Sequence, residues 1–178
     1  PNNWESIFNG STWEYDAKTG QYYFHLFSKK QPDLNWNNKD VRKAVFDMMN
    51  WWFDKGIDGF RVDAITHIKK TFEAGDLPVP NGKTYAPAFD VDMNQPGIQD
   101  WLQEMKDQSL SNYDIMTVGE ANGVTPDDAD EWVGEKNGKF NMIFQFEHLG
   151  LWSTGDSQFD VSAYKNVLNR WQKRLEGV

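Results

Sequence analysis

The sequence contains no cysteine, so it supports neither a disulfide framework nor thiolate chemistry. That absence is compatible with a cytoplasmic protein, which is the expected location. No apolar run is long enough to span a bilayer and no signal-peptide pattern is present, so no membrane partner is expected. A basic stripe is missing too. The net charge is −9, which argues against a nucleic-acid partner because nothing is gathered to neutralise phosphates. His25 has no second histidine at metal-ligand spacing; it reads as an ordinary packed or surface histidine, and no metal or cofactor is expected. The chain opens on Pro1 rather than Met, which implies a piece of a larger chain or a processed one.

What remains is an ordinary globular composition with one excess. At 178 residues, 39% hydrophobic and 25% charged, the chain is one globular unit at most, long enough for a core. Aromatics reach 15%, with nine Trp. Many of these can be core, but exposed Trp and Tyr also form the flat surfaces on which sugar rings stack.

Residues 1–30 are rich in turn-forming and aromatic residues, with a strand over Gln21–Phe27 after the turn Asp16–Gly20. No self-contained core is visible there, so the segment reads as an excursion packed on something else. A helix follows: Val41, Ala44, Val45, Met48, Met49, Trp52 and Phe53 keep the spacing of one face. Asn37 or Asn38 caps its start and Gly56 its end. Thr66–Gln95 reads as a long irregular connection in which Asp90 and Asp92 are solvated loop acids rather than a cation site. A second helix starts with Pro96 at its first position and buries Ile98, Trp101, Leu102 and Met105. Tyr113–Glu120 is an apolar strand, Thr125 to about Val133 a short acidic helix, and Asn141–Phe146 a third strand. A last helix from about Asp160 buries Ala163, Tyr164, Val167, Leu168, Trp171 and Leu175. Strands alternating with amphipathic helices make an α/β protein with a parallel sheet, its apolar strands buried on both faces. Doubly wound sheets and (β/α) barrels share this pattern, but no glycine-rich phosphate loop follows any strand, which weakens a nucleotide-binding fold.

The stretch Gly56–Ala64 carries the chemistry. Arg61 and Asp63 are two apart in a strand and share a face, opposite Phe60 and Val62. The guanidinium favours the ionised carboxylate, as a structural ion pair or as a nucleophile beside its orienting cation. Glu120 ends the next strand, 57 residues on, and adjacent parallel strands bring such ends together. Glu120 has no cation beside it in sequence, so burial would keep it protonated as an acid, unless it merely caps a loop. Two carboxylates in unlike environments point to glycoside hydrolysis.

Gly59-Phe60-Arg61-Val62-Asp63 and Val118-Gly119-Glu120 resemble the nucleophile and acid/base motifs of the α-amylase family, glycoside hydrolase family 13. Gln31-Pro32-Asp33-Leu34-Asn35 resembles a signature of its oligo-1,6-glucosidase branch, which also holds dextran glucosidase, α-glucosidase and trehalose-6-phosphate hydrolase. Pro1-Asn2-Asn3-Trp4 and Phe144-Gln145-Phe146-Glu147-His148 look like that branch too. The resemblance covers essentially the whole chain. It implies a retaining α-glucosidase acting on short oligosaccharides. Asp63 would be the nucleophile, Glu120 the acid/base, and Arg61 the residue that orients Asp63 and touches the sugar. The carboxyl groups of a competent retaining site lie about 5–5.5 Å apart. Ala64 stands where strict α-1,6 members carry valine, which leaves α-1,4 or mixed action open, and Asn122 is an aglycone-side contact or a loop-shaping residue. Alternatives are a trehalose-6-phosphate hydrolase, a dextran glucosidase, or a non-catalytic barrel relative that has lost an acid, though both acids are present here.

The resemblance also exposes what is missing. The family's third acid, in an Asn-His-Asp segment, and its Asp-x-x-x-Asn-His segment do not occur. Residues 1–30 look like the end of the inserted B domain and 31–178 like an incomplete (β/α)8 TIM barrel, about strands four to six with their helices. A closed barrel takes about 250 residues. The expectation is a chain inactive by itself, with open sheet edges prone to self-association.

Overall fold

The computed structural model describes residues 1–152 and 159–176. Its first elements form a hairpin. Strands β1 (Trp13–Asp16) and β2 (Gln21–Phe24) pair antiparallel around a tight turn that Asp16 closes by accepting from the Thr19 hydroxyl at 2.8 Å. Trp13 and Phe24 face one another across the hairpin. They join Trp4 and Leu26 in a small core completed by Leu77, Ala88 and Val91 from the connection between residues 66 and 95. The excursion thus packs on that connection. Trp4 stacks on Phe72, and its indole N–H donates to the Gly75 carbonyl at 2.8 Å. His25 is buried here, its Nδ1 3.1 Å from the Phe27 carbonyl.

Helix α1 (Lys39–Phe53) starts at Asn38, whose side chain accepts from the Asp40 N–H at 2.9 Å, a cap worth about 1 kcal/mol. Its inner face is rotated from the expected one. Arg42, Phe46, Met49 and Phe53 are buried, while Ala44, Met48 and Trp52 are exposed. Arg42 earns its burial through Glu104, at 2.6 Å, and the Trp36 carbonyl. After Gly56 (φ +89) come strand β3 (Gly59–Val62) and, within the connection, the one-turn helix α2 (Phe89–Asp92). Helix α3 (Ile98–Gln108) begins two residues later than its proline suggested, because Gly97 adopts φ +81 and stands outside the helix. Strand β4 (Met116–Ala121), the short helix α4 (Ala129–Val133), strand β5 (Met142–Gln145) and helix α5 (Val161–Arg174) complete the order. Thr125 and Asp128 form the capping box that launches the turn into α4, and Asp160 caps α5.

Strands β3, β4 and β5 form a three-stranded parallel sheet with β4 in the centre. Helices α1, α3 and α4 cover it with a core that includes Phe53, Leu102, Met105 and Trp132. Burial on both faces, expected of all the strands, holds only for β4. Thr117, Val118, Gly119 and Ala121 are buried, whereas Arg61, Met142 and Phe144 stand exposed on β3 and β5. Among the described residues, each outer strand is paired on one side alone. On α5, likewise, Val167 and Trp171 are buried and Leu168 and Leu175 are exposed. No helix among the described residues is long and apolar enough to cross a membrane.

Candidate active site

Glycine sets the register that builds the site. Gly59 sits at φ +149, and a Cβ there would lie 1.7 Å from the Met116 carbonyl oxygen. Only a residue without a side chain allows β3 to approach β4 so closely at this point. Gly59 then faces Met116, Arg61 faces Val118 and Val62 faces Gly119. One step further along the same register, Asp63 comes level with Glu120. The two carboxylates predicted to meet do meet, at the carboxyl ends of neighbouring parallel strands.

Arg61 bridges them. Its Nη1 donates to Asp63 Oδ1 at 2.5 Å, and its Nη2 lies in an ion pair 2.7 Å from Glu120 Oε2. The sequence places Arg61 beside Asp63 only; the second contact, across strands, supplies the cation that Glu120 seemed to lack. Glu120 Oε2 also accepts from the Ala64 N–H at 3.0 Å. That N–H is aimed by an unusual backbone: Ala64 has φ +43 and ψ +38, left-handed for a residue with a side chain, which costs on the order of 1–2 kcal/mol. The chain thereby leaves β3 through a buried 3₁₀ turn, Ile65–His67.

The carboxyls differ in setting. The Asp63 side chain is 71% exposed and that of Glu120 21%. The hydrogen bond from Glu120, with Arg61 adding to it, holds the Asp63 carboxyl below the usual range. The same hydrogen bond, together with burial, raises that of Glu120 despite the opposing Ala64 N–H and Arg61. The pair therefore holds a proton more readily on Glu120 than on Asp63.

A cleft of about 310 Å³ opens beside the pair, lined by Asp63, Ala64, Glu120 and Asn122 with Phe8, Phe27, Gln31, His67 and Phe146. All four of those first residues were expected at the site; Arg61 stands behind them. Phe8, Phe27 and Gln31 come from residues 1–30 or just after, so the hairpin region supplies one wall. Glu147, next to Phe146, accepts from Trp171 Nε1 at 2.8 Å and pairs with Arg170, which ties it to α5. A larger depression, about 600 Å³, lies at the opposite ends of β4 and β5 around Tyr113, Ile115, Thr117 and Lys139. It holds no pair of facing acids and is remote from the chemistry.

His67 was not singled out from sequence, although it lies four residues past Asp63. Its Nδ1 is 3.1 Å from the Asp92 carbonyl oxygen and 3.4 Å from Asp92 Oδ1. Asp92 is fully buried, so the reading of both loop acids as solvated holds for Asp90 alone. Asp92 turns inward beside His67, and its Oδ1 is buried there without a hydrogen-bond partner among the described residues. No group of three or more potential metal ligands occurs among the described residues.

A parallel α/β unit with two acids around one guanidinium, at the strand ends, defines the class: a protein with a paired-carboxylate site on a β/α sheet. The chain belongs to the α-amylase family, for the family described as Alpha amylase, catalytic domain, matches residues 1–178. It is 62% identical over 179 residues to the probable oligo-1,6-glucosidase 3 of Bacillus subtilis (strain 168), covering 100% of this chain and 32% of that protein. It is 50% identical to the oligo-1,6-glucosidase of Parageobacillus thermoglucosidasius, over 99% of this chain and 32% of that one. The solved trehalose-6-phosphate hydrolase of Bacillus licheniformis matches with a TM-score of 0.85 at 38% identity, over 99% of this chain and 32% of its own. The chain spans about a third of the length of the relatives it matches.

Proposed function

We propose that this chain is the catalytic centre of a retaining α-glucosidase acting on short oligosaccharides in the cytoplasm. The observation that carries the reading is the Arg61 guanidinium ion-paired to both Asp63 and Glu120 at adjacent strand ends. Asp63 attacks the anomeric carbon and forms a glucosyl ester while Glu120 gives its proton to the departing glycosidic oxygen. Glu120, now a carboxylate, takes a proton from water as that water attacks the same carbon. Glucose leaves with its configuration retained, and both carboxyls return to their starting states. Arg61 holds Asp63 ionised and touches the sugar, Ala64 borders the cleavage point, and Asn122 faces the aglycone side.

The high identity to two oligo-1,6-glucosidases supports α-1,6 bonds among the substrates, and Ala64 supports α-1,4 action beside them. A trehalose-6-phosphate hydrolase is the second reading, supported by structural similarity at lower identity. The three strands fit strands four to six of a (β/α)8 barrel, with residues 31–178 as barrel and 1–30 as the end of an inserted domain. The half-paired outer strands and the exposed Trp51 and Trp52 are then surfaces for the remaining units. On this account the chain by itself is inactive and self-associates through them.

Assaying the full-length protein and this chain separately on isomaltose, maltose and trehalose-6-phosphate tests the proposal. The full-length protein is expected to release glucose from isomaltose and maltose faster than from the phosphorylated sugar, and the chain alone to show no turnover and a concentration-dependent mass by sedimentation. Ordinary turnover by the monomeric chain contradicts the account.

A further inference from the structure

The segment from Asp90 to Gln95 sits between the loops that follow the two acids, and it is bonded to both. On one side, the Asn94 N–H donates to the Thr66 carbonyl at 2.9 Å, and His67 Nδ1 contacts the Asp92 carbonyl at 3.1 Å. Thr66 and His67 belong to the 3₁₀ turn that leaves Asp63. On the other side, Asn94 Nδ2 donates to the Asn122 carbonyl at 3.1 Å, two residues past Glu120. Gly123 fits against the same segment, where a Cβ would come within 2.5 Å of the Met93 methyl.

The segment is itself stiff. The buried Gln95 side chain donates to the carbonyls of Asp90 and Met93, both at 2.9 Å, and accepts from the Thr71 hydroxyl at 2.5 Å. Asn94 has φ +50, a left-handed conformation that asparagine tolerates better than most residues with a side chain. In that conformation one residue sends its backbone donor to one catalytic loop and its side-chain donor to the other.

We propose that Asn94 is a positioning residue that locks the turn after Asp63 to the loop after Glu120 and so fixes the acid/base relative to the nucleophile. This rests on the roles given to Asp63 and Glu120 above. Displacing a catalytic group by 1 Å can cost about 10²-fold in rate. A shift of the Asn122 loop moves Glu120, which matters only where the leaving oxygen must be protonated.

The test uses the full-length protein and two substrates. Maltose has a leaving oxygen that needs a proton; α-glucosyl fluoride has a leaving group that does not. Asn94→Gly keeps the left-handed backbone and deletes the amide, and Asn94→Asp keeps the shape but replaces the donor. Because kcat/KM reports on formation of the glucosyl ester, both variants are expected to lose about 10- to 100-fold on maltose and less than about 3-fold on the fluoride. Equal losses on both substrates, or no loss on maltose, overturn the proposal. If wild type cleaves neither substrate, or Glu120→Gln is not selectively impaired on maltose, the assignment of the acid/base itself fails, a pattern distinct from failure of Asn94 alone.

Discussion

Strand β4 and strand β3 are paired neighbours with opposite surroundings. Strand β4 is hydrogen-bonded on both sides and buried on both faces, and its acid, Glu120, is mostly covered. Strand β3 is paired on one side among the described residues, and its acid, Asp63, stands largely in solvent. The difference teaches that the two halves of an acid pair need not be completed by the same part of a fold. Glu120 takes its proton-holding environment from burial among this chain's own strands and from Asp63, against the opposing Ala64 N–H and Arg61. Asp63 is held ionised by Glu120 and Arg61, while its open flank is left to whatever pairs with β3.

The sharpest way to break the contrast is to remove each acid from the full-length protein. Asp63→Asn is expected to lower kcat/KM by about 10⁴-fold or more on maltose and α-glucosyl fluoride alike, because no ester forms without it. Glu120→Gln is expected to lose about 10²- to 10⁴-fold on maltose and little on the fluoride. The pH profile carries the same signature. On the proposed mechanism activity needs Asp63 ionised and Glu120 protonated, so it is expected to fall at low pH as Asp63 takes a proton and at high pH as Glu120 loses one. The downward and upward shifts of the two groups push these limbs apart and widen the plateau. Equal substrate selectivity in the two variants would erase the distinction.

A smaller effect sharpens the comparison at the level of the backbone. In Gly59→Ala the new methyl meets the Met116 carbonyl, which cannot yield without parting β3 from β4; unfolding by denaturant is expected to show a loss above about 4 kcal/mol. In Gly119→Ala the methyl meets the edge of the Phe140 ring at 3.2 Å, a side chain that can shift, and the expected cost is about 1–3 kcal/mol. A reversed order would mean that the register bringing Asp63 level with Glu120 does not depend on Gly59.

The parallel sheet and the acid pair were legible in sequence because local rules carry them: a two-residue alternation set Arg61 beside Asp63, and strand–helix alternation set Glu120 on the next strand. What stayed hidden depends on contacts distant in sequence. The ion pair from Arg61 to Glu120 spans 59 residues, and nothing in the pattern around Glu120 marks it. Asp92 and Asn94 lie in a stretch without periodicity, and their contacts with His67, Thr66 and Asn122 are ones that only the fold assembles. The helix faces were misjudged for a related reason. An apolar stripe marks a surface that something covers, and on α1 Met48 and Trp52 are left uncovered by this chain.

The central claim is that Asp63 carries the sugar while Glu120 moves the proton. Treating the full-length protein with 5-fluoro-α-glucosyl fluoride, which slows breakdown of the ester more than its formation, and mapping the labelled peptide by mass spectrometry tests it most directly. A single fluoroglucosyl group on Asp63 is the predicted result, and a group on Glu120 or on any other residue would contradict it.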